Sequence, residues 1–160
     1  MRRFAITRVS FLFYLAMAWN AAPAATAAEV ERVLALEQAP PGVVFEVVSG
    51  DPDRLNAVIP QVTAYVRRLR ARFPDMPVAV LTHGAEQFSL LAGETDRYGE
   101  LHAQVRALTG EQNVDVHVCG NHASWRNKTA ADFLDYVDVA ASAAEKMGEY
   151  RDIGFVVIRF

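Results

Sequence analysis

The chain has one cysteine, Cys119, which stands at the end of a predicted β-strand, Val114–Cys119. A cysteine thiolate is a strong nucleophile, and helix N-termini and nearby cations favour that form. Arg126, Lys128 and a predicted helix start at Thr129 follow closely. A free cysteine is also among the residues most often buried as a small apolar side chain. The sequence therefore allows two interpretations, a reactive thiol or a packing residue, and it excludes an intramolecular disulfide.

Two histidines are candidates to assist this sulfur. His83 follows a second predicted strand, Val78–Thr82, and His122 lies in the predicted turn after the cysteine. An imidazole beside a thiol can stabilise the thiolate or carry its proton. We therefore predict Cys119, His83 and His122 as the catalytic residues.

The histidines also allow a metal-binding interpretation. His117 and Cys119 are two residues apart on one strand, so their side chains point to the same face. With His83 and His122 they would offer three nitrogens and one sulfur, which zinc or copper accepts. The spacing matches no established structural zinc pattern, so we predict no metal and no cofactor. His102 is predicted to lie on the surface of a helix.

Five apolar segments predict the strands that must position these residues, at 43–48, 78–82, 114–119, 136–139 and 155–158. Helical patterns separate them: a helix beginning near Pro60 after a looser turn, one at 98–108 closed by Gly110, a short one at 129–134, and one at 141–150. Residues 85–93 fit either a short helix or a strand-like loop. Strands alternating with helices require crossover connections and a mainly parallel sheet. We predict an α/β fold, a three-layer α/β/α sandwich with about five strands.

The ends of the first three strands carry the polar residues. Ligands of open α/β sheets bind outside the carboxyl ends of the strands. If the second and third strands are neighbours, His83 and Cys119 lie on the same edge. Gly50, Gly84 and Gly120 follow the strands singly and form no dinucleotide-binding motif.

Residues 1–27 have the layout of a secretory signal peptide. Three arginines precede an uncharged apolar run, Val9–Trp19, and small residues follow. That run is shorter than the roughly 20 residues needed to span a bilayer. Ala25-Thr26-Ala27 offers a cleavage site, with Ala22-Pro23-Ala24 as an alternative. We predict a periplasmic protein whose domain comprises residues 28–160 and which has no membrane contact after cleavage.

The charge balance argues against nucleic acid as a partner. Loss of residues 1–27 removes three arginines and no acidic residue, so the net charge changes from −3 to −6. Binding to phosphates requires clustered lysines and arginines. The one such cluster, between Arg67 and Arg72, fits the solvated face of a helix.

Residues 43–160 resemble the DsrE/DsrF-like family, in its exported, stand-alone branch. The resemblance is carried, in this order and spacing, by Val78–Gly84, Val114–Asn121 and Tyr150–Ile158. It implies a parallel α/β sandwich that often assembles into homo-oligomers. Where a cysteine ends the third strand, as Cys119 does, it also implies a persulfide carrier in a sulfur relay. Gly120-Asn121-His122 differs from the sequence after the cysteine in the best-defined relay subunits, which are cytoplasmic.

The leading hypothesis is a periplasmic sulfur-handling protein. Cys119 would accept sulfur from a sulfane-sulfur donor and pass it to the thiol of a partner protein. Whether it is a carrier or a sulfurtransferase enzyme stays open. The alternative is a non-catalytic module of the same fold that binds a small ligand or metal or serves assembly, with Cys119 as a packing residue.

Overall fold

A computed structural model describes residues 21–160 of the chain, with side-chain environments from residue 24 onward. Its centre is a five-stranded sheet in which every pair of neighbouring strands is parallel. The strands are β1 (Val43–Val47), β2 (Val78–Thr82), β3 (Asp115–Cys119), β4 (Asp138–Ala140) and β5 (Val156–Arg159), in the spatial order β4-β3-β2-β1-β5. The predicted three-layer α/β/α fold with a parallel sheet is confirmed.

In the described part of the chain, five α-helices flank the sheet: α1 (Ala21–Leu34), α2 (Arg54–Arg72), α3 (Thr95–Gly110), α4 (Gly120–Ser124) and α5 (Ala143–Asp152). Short 3₁₀ turns occupy Ala85–Leu90, Ala92–Glu94 and Ala130–Asp132.

The two faces of the sheet are covered unequally. Helices α1, α2 and α3 pack on one face in the larger core, around strand residues such as Phe45, Val80 and Val118. On the opposite face, Val44, Leu81 and Cys119 share a smaller buried cluster with residues of α5. Alternate residues of each strand point to opposite faces, so Cys119 lies on the side that α5 covers.

Helix α2 begins earlier than the sequence predicts. The prediction placed the helix start near Pro60, whereas α2 begins at Arg54 and contains Pro60 in its interior. Proline removes one backbone hydrogen bond from a helix. The helix persists because Leu55, Val58 and Ile59 are buried and hold its first turns on the core, while Pro60 faces solvent.

Helix α3 differs from its prediction in two details. Gly110 is still helical, and the cap is Glu111, whose N–H donates to the carbonyl of Ala107 at 2.9 Å. His102 is buried, not on the surface as predicted. Its ring bonds to the carbonyl of Ser89 at 2.7 Å and to the Thr95 hydroxyl at 3.2 Å. Two polar partners therefore compensate for the burial of the ring.

Helix α1 includes the residues around the predicted cleavage site. Thr26 is buried, and its hydroxyl donates to the carbonyl of Arg159 at 2.5 Å. Val30 and Val33 are buried in the larger core. Most of the predicted signal peptide, residues 1–20, lies outside the described residues. From residue 21 onward, no helix is long and apolar enough to cross a membrane.

Candidate functional site

The carboxyl ends of β2 and β3 lie side by side at one edge of the sheet. Thr82 of β2 pairs with Val118 of β3, so His83 and Cys119 are the next residues along neighbouring parallel strands. Cys119 ends β3 and is also the N-cap of α4. The candidate site is therefore a rim at which three chain segments end or begin.

The sulfur of Cys119 accepts two backbone hydrogen bonds. The N–H groups of His122 and Ala143 each donate to Sγ at 3.4 Å. His122 lies in the first turn of α4, and Ala143 is the first residue of α5. The N–H groups at helix starts have no partner within the helix, and here the sulfur supplies one. Cys119 is 6% exposed, so the residue is buried with a small accessible fraction.

The backbone of Cys119 is fixed by Gln87, which the sequence analysis did not identify. Its Oε1 accepts the N–H of Cys119 at 2.8 Å, and the side chain is fully buried. Gln87 lies in the 3₁₀ turn Ala85–Leu90 after β2. A polar pair at positions 86 and 87 among apolar neighbours was the available signal, because buried polar side chains are held by specific hydrogen bonds.

The rings of the two predicted catalytic histidines bond away from the sulfur. The Nδ1 of His122 lies 2.9 Å from the carbonyl oxygen of His83, and the ring packs edge-on against Phe88. The His83 ring lies 3.3 Å from Glu46, through Nε2 and Oε1. Within residues 21–160, neither ring forms a hydrogen bond to Sγ. His122 reaches the sulfur through its backbone N–H, as Ala143 does.

Because a carbonyl can only accept, Nδ1 of His122 must carry a proton. This leaves Nε2 with the lone pair in the neutral ring.

Glu46 links His83 to the last strand of the sheet. Its second oxygen accepts from the Nε of Arg159 at 2.7 Å. Glu46 and Arg159 are paired residues of β1 and β5. A carboxylate shared by an imidazole and a guanidinium orients both of them.

A buried carboxylate, Glu86, ties the ends of β1 and β2 together. Its Oε1 accepts from the Thr82 hydroxyl at 2.6 Å and from the N–H of Gly84 at 2.8 Å. Its Oε2 accepts the N–H of Ser49 at 2.8 Å. Three donors compensate for burying the charge. Gly84 is required here, because a Cβ at this position would lie 2.3 Å from Oε2 of Glu86 and from the carbonyl of Ser49.

His117 is held in a separate network. Its two ring nitrogens lie 2.7 Å from Asp138 and 2.7 Å from the hydroxyl of Tyr150. Burial, with a further contribution from nearby acidic groups including Asp138, raises the pKa of Tyr150 to about 12. The structure therefore does not bring His117 together with His83, Cys119 and His122. In the described part of the chain, no three His, Cys, Asp or Glu side chains are grouped to hold a metal.

The two cations that follow the cysteine in sequence are engaged elsewhere. The guanidinium of Arg126 lies over the Phe88 ring, 4.2 Å from its centroid. Lys128 pairs with Asp132 at 3.8 Å. The donors that reach the sulfur are therefore backbone N–H groups.

Comparison with known proteins defines the fold and nothing finer. No protein-family model matches the chain, and no curated protein matches it significantly. MTH1491, a protein of unknown function from Methanobacterium thermoautotrophicum, superposes with a TM-score of 0.58 at 22% identity, over 74% of this chain and 97% of that one. The ychN protein from E. coli superposes with a TM-score of 0.57 at 19% identity, over 74% and 99%. Both have the DsrE-like fold, and this chain shares it.

Replacing Gly84 with alanine should destabilise the protein. The added methyl group would collide with Glu86 and the backbone of Ser49, at a cost of about 1–3 kcal/mol in the free energy of unfolding. Chemical denaturation measures this loss. Gly93→Ala is the control, since a Cβ there meets no atom within 4 Å. Equal free energies of unfolding for the two variants would show that Glu86 and Ser49 can move aside for the methyl group without loss of stability.

The stabilising effect of Tyr150 should disappear at alkaline pH. Its folded pKa of about 12 lies above the ordinary tyrosine pKa of 10.0, so its contribution is complete below pH 10 and is lost as the pH rises toward 12. The stability difference between wild type and Tyr150→Phe should therefore shrink by about 1 kcal/mol between pH 9 and pH 11. Urea unfolding of both proteins at the two pH values measures it. A constant difference would contradict the raised pKa.

Proposed function

We propose that the protein carries sulfur as a persulfide on Cys119. The observation that supports this most directly is the sulfur at the sheet edge, where two backbone N–H groups donate to Sγ. Fixed N–H donors stabilise negative charge that develops on a reacting atom. The DsrE-like fold and the resemblance of residues 43–160 to the DsrE/DsrF-like family point to the same chemistry.

The transfer requires no outside oxidant or reductant. The Cys119 thiolate attacks the outer sulfur of a hydropersulfide, R–S–SH. A bond forms between Sγ and that sulfur while the S–S bond of the donor breaks, and R–S⁻ leaves with the electron pair. Cys119 then carries –S–SH. In the second step a partner thiolate attacks the outer sulfur, and Sγ leaves as the thiolate.

His122 is the proposed proton acceptor for the thiol. Its Nδ1–H donates to the carbonyl of His83, so the neutral ring presents Nε2 as the basic nitrogen. Its backbone N–H donates to Sγ, so His122 is the one of the two histidines that is bonded to the sulfur. His83 acts by position, because its carbonyl fixes the tautomer of His122 while its own ring is held by Glu46.

The setting of this chemistry belongs to the same proposal. An N-terminal signal peptide would direct the domain to the periplasm. An acidic mature chain and a homo-oligomer would suit docking to a partner protein that carries the acceptor thiol. Nucleic acid and membrane are not part of the proposal.

A second candidate function is non-covalent binding of a small ligand. A surface cavity of about 510 Å³ lies beside α3, lined by residues that include His102, Arg106 and Tyr136. This volume falls in the range of small-molecule pockets. Cys119 does not line this cavity. Under this second hypothesis, the buried Cys119 side chain is a packing residue.

Incubation with a sulfane-sulfur donor separates the two functions. The purified wild-type protein should gain the mass of one sulfur atom, which a thiol reductant should remove. Cys119→Ser, which keeps the size and the hydrogen-bonding capacity of the side chain, should gain none. Intact-mass spectrometry measures both. An unmodified wild type, or equal gain by the variant, refutes the carrier and leaves the ligand-binding module.

Substitution of the two rim histidines should have unequal effects. His122→Ala keeps the backbone donor to Sγ but removes the base, so the rate of sulfur gain should fall by about tenfold or more. His83→Ala keeps the carbonyl that His122 uses, so its rate should stay within about threefold of wild type. Timed mass spectrometry at neutral pH compares them. The reverse order would assign the proton transfer to His83.

A further inference from the structure

One buried donor at the rim is not used by the residues around it. Gln87 must direct Oε1 toward the Cys119 N–H, because an NH₂ group cannot accept that bond. Its Nε2 is therefore the free end of the amide. This nitrogen is buried and has no hydrogen-bond partner within residues 21–160.

An unpaired buried N–H group is costly. Leaving such a donor unsatisfied costs about 1–3 kcal/mol, and folded proteins contain few of them. Because Nε2 is bonded to the same carbon as Oε1, it lies beside the backbone of the one cysteine. The donor therefore belongs to the amide group that is bonded to the residue on which the proposed reaction occurs.

The other donors at Cys119 are occupied by its own sulfur. The N–H groups of His122 and Ala143 both reach Sγ. They are sufficient for the resting thiol, which has one sulfur atom. A persulfide has a second sulfur, and most of its negative charge resides on that outer atom, which requires a donor of its own.

We infer that Nε2 of Gln87 binds the outer sulfur of the Cys119 persulfide. The inference rests on the proposed sulfur carrier and identifies the residue that recognises the transferred atom. Gln87 then has two functions, because Oε1 fixes the backbone of Cys119 and Nε2 donates a hydrogen bond to the transferred sulfur.

The charges at the rim indicate the class of sulfur donor. Arg126 lies over Phe88, and Arg159 is paired with Glu46, which also holds His83. The donor groups that face the reaction are neutral N–H groups. They suit a small hydropersulfide, which carries at most one negative charge, better than thiosulfate, whose two charges call for a cationic clamp.

Two substitutions of Gln87 separate its functions. Gln87→Glu retains an acceptor for the Cys119 N–H but loses the Nε2 donor. Gln87→Met is neutral, similar in length and lacks both. Wild type and variants are treated with cysteine hydropersulfide, and in parallel with thiosulfate, and the rate of sulfur gain is followed by intact mass. Alkylation of Cys119 by iodoacetamide and the thermal unfolding midpoint are measured on the same samples.

Both variants should gain sulfur from the hydropersulfide about tenfold more slowly than wild type, the effect of one lost hydrogen bond. Alkylation of Gln87→Met should fall less than its sulfur gain, because alkylation is affected by loss of the backbone bond but places no second sulfur beside Nε2. Wild type should react faster with the hydropersulfide than with thiosulfate. If Gln87→Met does not fold, Gln87→Glu carries the comparison of sulfur gain.

Three results would overturn the inference. Unchanged rates in the variants would leave Gln87 as a backbone anchor only. Equal losses of alkylation and sulfur gain in Gln87→Met would assign it a purely structural role. Faster reaction of wild type with thiosulfate would refute the donor class. A wild type that gains no sulfur from either donor refutes instead the carrier function, which distinguishes the two failures.

Discussion

The geometry of the rim depends on hydrogen bonds that converge on a single residue, Cys119. Gln87 bonds to its backbone, and the first turn of α4 and the start of α5 bond to its sulfur. These three contacts join segments that are far apart in sequence, because α5 begins 24 residues after the cysteine. The sulfur is therefore held by elements whose mutual positions the whole sheet defines. A parallel sheet suits this purpose, since all of its strands end at the same edge.

The uneven covering of the sheet places this arrangement on the thinner side. Within residues 21–160, helices α1, α2 and α3 bury one face, and α5 packs on the other. The strand residues of that second face include Glu46 and His117, which are polar and bonded to partners. A sheet face with both polar and apolar side chains buries less apolar surface, and its polar side chains are held in place by hydrogen bonds. Stability therefore comes mainly from the larger core, and the smaller layer can accommodate chemistry.

The fold was predictable because its strands are short, apolar and bounded by turn residues, as at Val78–Thr82. The first half of α2 was not predictable. Pro60 suggests a helix start from local sequence, whereas the earlier start depends on the packing of Leu55 and Val58 against the rest of the fold. The position of Cys119 at a strand end was also predictable. The roles of Glu86 and Gln87 were not, since each depends on a backbone N–H of a distant segment, Ser49 for Glu86 and Cys119 for Gln87. Sequence patterns report burial of apolar groups well and the satisfaction of buried polar groups poorly.

Strand β5 lies beside β1, although β2, β3 and β4 come between them along the chain. Val43 of β1 pairs with Val156 of β5, and Thr26 of α1 bonds to Arg159, 133 residues away in sequence. During synthesis, one side of β1 therefore lacks its neighbour until β5 has been made, and Glu46 and Arg159 of these two strands are 113 residues apart. An open strand edge can pair with other chains, and contacts this distant in sequence form slowly. The newly made chain thus passes through a period in which aggregation competes with closure of the sheet, and binding of a chaperone to that edge would protect it.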